Sequence, residues 1–284
     1  MFTSFRNELF LNLRSKLRFS RGGYCEVGTE DEEDTMIERE LVILYSFAAF
    51  KKDLSSLQWK RNLATLWLLN TFAKWPEVFA RWPDVALGGR VPFLEVGCQD
   101  FSRLPALKYF FKMQYRDVSL HGLEVDPFPI LSDLHSRWDR AQYYISLLGR
   151  EPHQQSEYSS GCKSGGNRVR DQFFAGDFFT WSQKTKGLIC FFPFVTAGPA
   201  LSWGLPERFG EPQKWLEGVE RCLDDGGFLF VVHQGLEEER IFDEARFKHA
   251  SFLKLLERHE LSCPFWPPKK PSCASLYVRD TGTV

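Results

Sequence analysis

The sequence predicts an α/β protein. It should hold a mostly parallel seven-stranded sheet with helices on both faces, behind an N-terminal helical segment. Three observations carry this. Short, nearly all-apolar runs such as Val91–Val96 and residues 187–194 read as strands buried on both faces. Stretches with helical spacing of apolar residues alternate with them. The first third of the chain carries helix-start signals and no strand-like run. The boundaries expected are 1–89 for the helical segment and 90–284 for the sheet domain.

Residues 1–20 mix Phe2, Phe5, Leu9, Phe10, Leu13 and Leu17 with Arg6, Arg14, Lys16 and Arg18, as an amphipathic helix does. Such a stripe is expected to dock on the body of the protein; a lid or a membrane contact are the alternatives. Gly22-Gly23 should end it, and the acidic run 30–34 reads as a solvated loop. Thr35-x-x-Glu38 and Ser55-x-x-Gln58 are capping-box patterns. They predict helices over 36–51 and from 56 to about 75. Pro76 can open a short third helix to Trp82, and Gly88-Gly89 separates this segment from the first strand.

The run Val91-Pro92-Phe93-Leu94-Glu95-Val96-Gly97-Cys98 reads as a strand, an acid and a sharp glycine turn. Ser102 is expected to cap a helix over 103–113, with Pro105 in its first turn. A strand, turn and helix in this order can cradle a nucleotide, because the helix start offers free N–H groups. Residues 118–126 read as a second strand ending in acid, at Glu124 and Asp126. Pro127 and Pro129 should open a long helix with Ile130, Leu134, Trp138, Ala141, Ile145 and Leu148 on one face. Residues 151–168 lack periodicity and read as a loop. A third strand ends at Asp177, and a fourth spans 187–194. A helix opened by Pro212 should close at Gly226-Gly227 before a fifth strand at 228–233. Residues 242–259 read as helical, and 261–265 with 274–278 as a closing antiparallel pair.

Taken together, Leu94-Glu95-Val96-Gly97-Cys98 and Gly122-Leu123-Glu124-Val125-Asp126 resemble the first two motifs of the class I S-adenosylmethionine-dependent methyltransferases, whose domain is Rossmann-like. The resemblance covers residues 90–280. The family's turn carries more glycines; here Gln99, Asp100 and Phe101 follow Cys98. The resemblance implies S-adenosylmethionine as cofactor, with Gly97 and Cys98 in the turn around it. Glu95 would serve its methionine end and Glu124 its ribose hydroxyls, since two hydroxyls can each donate to one carboxylate. Asp177 would accept from the adenine amine, with Phe178 against the ring. Each acid also has a plainer reading: Glu95 as an N–H-capping acid, Asp177 as a helix cap. It also implies that the helical segment covers the acceptor site.

The fourth strand ends in Phe192-Pro193-Phe194-Val195-Thr196, with no amide or acid. Family members that methylate bases or amides often carry such a group there. This run favours a small or medium acceptor held by apolar walls over a nucleic acid. His233, at the fifth strand's end, is the candidate general base, with Glu237 and Glu238 as alternatives. A nicotinamide enzyme would want Gly-x-Gly-x-x-Gly after the first strand, which residues 97–102 lack. A methyltransferase-shaped scaffold without catalysis is the other rival.

Composition fits a globular protein of 284 residues, 43% hydrophobic and 26% charged. A net charge of −1 argues against a general nucleic-acid-coating surface. Twenty-seven Phe and nine Trp mean either a bulky aromatic core or an aromatic-lined pocket. The seven scattered cysteines form no Cys-x-x-Cys pair, so reduced thiols, a cytoplasmic location and no metal are expected. No signal peptide and no membrane-spanning run is expected.

Overall fold

The computed structural model describes residues 2–26, 35–82, 91–114, 118–149, 171–265 and 272–280. The acidic run 30–34, Gly88-Gly89 and the loop 151–168 lie outside them. The described chain runs α1 (Phe2–Lys16), α2 (Met36–Leu44), a 3-10 helix (Phe47–Asp53), α3 (Ser56–Asn70), α4 (Trp75–Phe79), β1 (Val91–Val96), α5 (Leu104–Met113), β2 (Val118–Glu124), α6 (Arg137–Leu148), β3 (Gln172–Ala175) and β4 (Thr185–Phe191). It continues with α7 (Ala197–Ser202), a second 3-10 helix (Glu207–Gly210), α8 (Pro212–Cys222), β5 (Leu223–His233), α9 (Leu236–His249), β6 (Leu253–Leu261) and β7 (Ser272–Arg279).

The seven strands form one sheet in the order β3-β2-β1-β4-β5-β7-β6. The first five are parallel, and β7 runs antiparallel to both neighbours. Strand alternation sends Phe93, Phe228 and Phe230 to one face, under α3 to α6. Leu94, Val96, Leu229 and Val231 go to the other, under α8 and α9. Aromatic rings fill the first face: Phe93 packs edge-to-face with Phe111 at 4.7 Å and with Phe228 at 5.1 Å. The sheet makes room for them at Gly187, where a Cβ would come within 2.6 Å of Phe228. Residues of α2 to α4 belong to this same core, with Trp75 fully buried against Phe228 and Phe230.

Several elements differ from the expectation. Thr35 and Ser55 do accept from the backbone N–H three residues on. The helix after Thr35 is shorter, because Ser46 takes a left-handed φ of 50° and a 3-10 turn follows. Residues 127–135 are irregular, Leu134 has φ 62°, and α6 starts at Ser136 with a full capping box to Asp139. Gly226-Gly227 does not close α8; it lies within β5, where the register against β4 shifts. The expected helix 242–259 is instead the end of α9 and most of β6. There the apolar residues Leu253, Leu255 and Leu261 fit the alternating pattern of a strand packed on one side.

Ser102 does not cap α5. Its hydroxyl accepts from Arg61 at 2.9 Å, and the helix start is satisfied from α3 instead. Asn62 is fully buried. Its Oδ1 accepts from Ala106 N–H at 3.0 Å, and its Nδ2 donates to the Ser102 carbonyl at 2.9 Å. The helical segment thereby supplies the cap of the helix that follows the glycine turn.

Candidate functional site

The turn after β1 is the most informative piece of backbone in the molecule. Gly97, Gln99 and Phe101 all have positive φ, at 65°, 56° and 59°. The chain thus takes a left-handed step at every second residue, a course that normally selects glycine because a Cβ costs about 1–2 kcal/mol there. Phe101 is held by packing. Its ring is fully buried near Phe173 and fills the space above Gly122 of β2, where a Cβ would sit 2.9 Å from it and from Cys98 Sγ. Gln99 is held by a charge: its N–H donates to Glu124 Oε2 at 2.8 Å. Gly97 N–H donates to the Leu123 carbonyl at 2.9 Å. The turn keeps its shape with one glycine because β2 supplies the other restraints. Nothing lies within 4 Å of where a Cβ of Gly97 would be, so its backbone borders open space.

Glu124 is buried at the tip of β2. Its second oxygen accepts from Asp126 N–H at 3.1 Å, and Arg137 Nη1 lies 3.6 Å away. Burial raises its pKa, opposed by Arg137 and the two N–H groups. Each oxygen still has a free lone-pair direction. Glu95, one strand over, is 1% exposed. Neither oxygen has a hydrogen-bond partner, and Arg103 Nη1 is 3.6 Å from Oε1. Burial pushes this carboxyl up to about 7 against the pull of Arg103. Arg103 in turn lies over the Phe191 ring at 4.5 Å.

Asp177 follows β3. Its Oδ1 accepts from Phe179 N–H at 2.9 Å, as a capping acid does, and its Oδ2 takes Arg208 Nη1 at 2.5 Å. Arg208 also pairs with Glu8 of α1. Phe178 turns the other way, into the core against Trp215 and Gly218 of α8. It is Phe179 that stacks in the open direction, on Phe209 at 5.2 Å. Cys98 is buried, and its thiol is pushed well up by burial and by the carboxylates around it. His233 offers no proton acceptor to a cleft. Its ring is fully buried, packs 5.0 Å from Phe242 of α9, and has no partner for either nitrogen. Burial lowers its pKa to about 3, so it stays neutral at neutral pH. Glu237 is exposed and tied to Arg240, and Glu238 accepts from Gln234 N–H.

The fold therefore brings Glu95, Gly97 and Glu124 together at the C-terminal ends of β1 and β2, and takes Phe178 and His233 into the core. Sequence reasoning missed Gln99 and Phe101 as turn residues. Their spacing from Gly97 at every second position, facing a glycine in the next strand, was the available signal. Arg103, Arg208 and Arg14 were missed as well. Arg14 crosses from α1 to Asp126, with Nη2 to Oδ2 at 2.9 Å. No helix among the described residues is long and apolar enough to cross a membrane, and no described cluster of His, Cys, Asp and Glu suits a metal ion. Among the described residues, Cys25, Cys98, Cys190, Cys222 and Cys273 are free thiols.

No family model matches the chain, and no curated protein matches by sequence. Solved structures match it at low identity. A putative RNA methyltransferase from Pyrococcus horikoshii is 13% identical, with 89% of this chain and 100% of that one covered and a TM-score of 0.45. Magnesium protoporphyrin IX methyltransferase from Synechocystis, with bound S-adenosylmethionine, is 12% identical over 89% and 100%, with a TM-score of 0.44. TrmN from Thermus thermophilus is 9% identical with a TM-score of 0.44, and the chain spans about half of it, 48%. The strand order, the antiparallel β7 and the strand–turn–helix at β1 are those of the class I S-adenosylmethionine-dependent methyltransferase fold.

Proposed function

We propose that the chain binds S-adenosylmethionine at the tips of β1 and β2 and transfers its methyl group to a small or medium acceptor. The observation that carries this reading is the turn 97–101. It keeps a left-handed step at three alternate residues, two of them not glycine, and is tied by an N–H to Glu124. Strained backbone is retained where a function needs its course. The residues present fit the cofactor: a bare Gly97 backbone facing open space, and a carboxylate with lone pairs to spare.

In this reading Glu124 accepts from the ribose hydroxyls. Glu95, raised toward neutrality and without hydrogen bonds, is matched to an amino group that would restore its charge. Asp177 accepts from the adenine amine after yielding Arg208. When bound, the cofactor supplies an electrophilic methyl on a sulfonium, open to in-line displacement. The chain's task is then to hold the acceptor aligned and dry. Phe191, Phe192 and Phe194 at the end of β4 suit that task, and no carboxylate or amide stands among them to remove a proton. An acceptor that is already deprotonated or proton-free at neutral pH fits best.

One observation favours the scaffold reading: Asp177 is already engaged by Arg208, and Glu124 by two N–H groups. A thermal-shift experiment addresses the binding claim. S-adenosylhomocysteine should raise the melting temperature, as any ligand selective for the folded state must, and NADH should not. A shift with NADH alone would transfer the site to the nicotinamide class. No shift with either would leave the scaffold reading.

A further inference from the structure

Helix α1 docks by the face opposite to its apolar stripe. Ser4 accepts from Glu207 N–H, and Asn7 Nδ2 donates to the Leu205 carbonyl at 3.0 Å. Leu11 is buried with Ala200 and Leu205, and Arg14 holds Asp126. These positions recur at three- and four-residue spacing, so they share one side of the helix. The other side carries Phe5, Leu9, Phe10 and Leu13, continued by Leu17 just past the helix end. All are exposed, Phe5 at 68% and Leu17 at 71%. A helix with that much apolar surface turned outward has a partner of some kind.

The charges around the stripe select the partner. Arg6 and Lys16 stand among these residues on the same side of the helix, and Arg18 and Arg21 follow its end; all four are exposed, and none forms an ion pair among the described residues. The single acid of the helix, Glu8, lies toward the docked side and is neutralised by Arg208. Large apolar side chains interspersed with long cations, whose heads can reach the headgroups while their stems stay apolar, and with no competing acid, suit a helix lying in the interface of an anionic bilayer. More exposed apolar groups lie beyond both ends of α1. Trp203 follows α7, which α1 contacts. Ile130 and Leu134 lie in the segment leading to α6, where Ser20 and Gly22 bind Asp139.

We propose that the outward face of α1 is a docking surface for a phospholipid bilayer with anionic headgroups. The stripe enters the headgroup–acyl boundary and the cations engage the headgroups. Through Val125, Asp126 and Phe194, α1 packs on the segments that follow β2 and β4. The bilayer therefore lies over the C-terminal ends of these strands. This inference does not depend on methyl transfer.

Co-sedimentation of the full chain with vesicles tests it. Vesicles of equal parts phosphatidylglycerol and phosphatidylcholine should carry the protein down, and phosphatidylcholine alone should do so weakly. Binding should fall as salt rises. The pair Leu9→Glu and Leu13→Glu should abolish binding. The pair Arg6→Glu and Lys16→Glu should weaken it by at least about ten-fold. All four side chains are exposed, so circular dichroism should report unchanged folding. No binding to either vesicle overturns the proposal, as does unchanged binding by the leucine pair. A dimer in sedimentation velocity that the leucine pair dissolves would assign the face to a second copy of the chain. Equal binding to both vesicles would overturn the choice of an anionic surface. Cofactor titration is read separately, so loss of one result leaves the other standing.

Discussion

The tips of β1 and β2 each carry a glutamate that the fold takes almost wholly out of water, and the two carboxylates are held in opposite ways. Glu124 is gripped: two backbone N–H groups donate to it, Gln99 from the turn after β1 and Asp126 from just beyond β2, and Arg137 stands nearby. Glu95 is merely enclosed, with Arg103 near and no hydrogen bond to either oxygen. Glu124 therefore organises the turn, whereas neither Glu95 oxygen accepts a hydrogen bond. An acid at a strand tip means one thing in sequence and two in structure, and the difference lies in which backbone donors reach it.

The largest expected effect comes from the ring that braces the turn between these tips. Phe101→Gly would give the turn the glycine its φ prefers, yet it removes a fully buried ring. A loss of about 3–5 kcal/mol from the cavity outweighs about 1–2 kcal/mol of relieved strain. Denaturant unfolding should show net destabilisation. A more stable variant would mean that the turn does not rest on Phe101.

Glu124→Gln comes next. Both oxygens accept from N–H groups, so an amide must aim a donor at one of those donors or leave it unpaired. The cost in folding stability should be about 1–3 kcal/mol. Urea titration checks this. A variant as stable as the parent would show the two N–H bonds to be incidental.

The contrast also appears in pH dependence. Glu95's folded pKa lies near 7, above its unfolded value of about 4.5. The folded state therefore holds a proton that the unfolded state has released. The stability linked to this group is fully present below the unfolded pKa and is lost as pH rises toward 7. Glu95→Gln should flatten the stability profile across that window. An unchanged profile would place Glu95's titration in the ordinary range.

The smallest effect is at Gln99. Gln99→Gly relieves a left-handed residue and adds freedom to the unfolded chain, so the two terms partly cancel. A gain of no more than about 1 kcal/mol is expected. A clear loss would show that the Gln99 side chain contributes more than its backbone.

Strands β1, β2 and β4 were legible from a local signal, because each is a short apolar run that the fold buries almost throughout. The helical start at Thr35 and Ser55 was legible for the same local reason. What failed was whatever the fold decides at a distance. Ser102 has the composition of a cap, but Asn62 reaches over from α3 and does that work. The apolar spacing from Ile130 to Leu148 fits a single helix, and Leu134's left-handed φ breaks it. The apolar stripe of α1 was expected to face the core, and its polar side, through Asn7 and Arg14, does so instead. The places of Glu95, Gly97 and Glu124 near the ends of β1 and β2 followed from the apolar runs that precede them. Phe178 and His233 were misjudged because strand and turn geometry, not residue type, sends a ring inward or outward.

Glu124 and the turn it grips are proposed to hold the cofactor. Isothermal titration of S-adenosylhomocysteine into the parent and into Glu124→Gln tests this most directly. Two charge-assisted hydrogen bonds to the ribose are at stake. The parent should bind, and the variant should lose roughly ten- to a hundred-fold in affinity, about 1.4–2.8 kcal/mol. Asp126→Asn, whose carboxylate is committed to Arg14, should change affinity far less. No heat from the parent, or equal affinity in parent and Glu124→Gln, would contradict it.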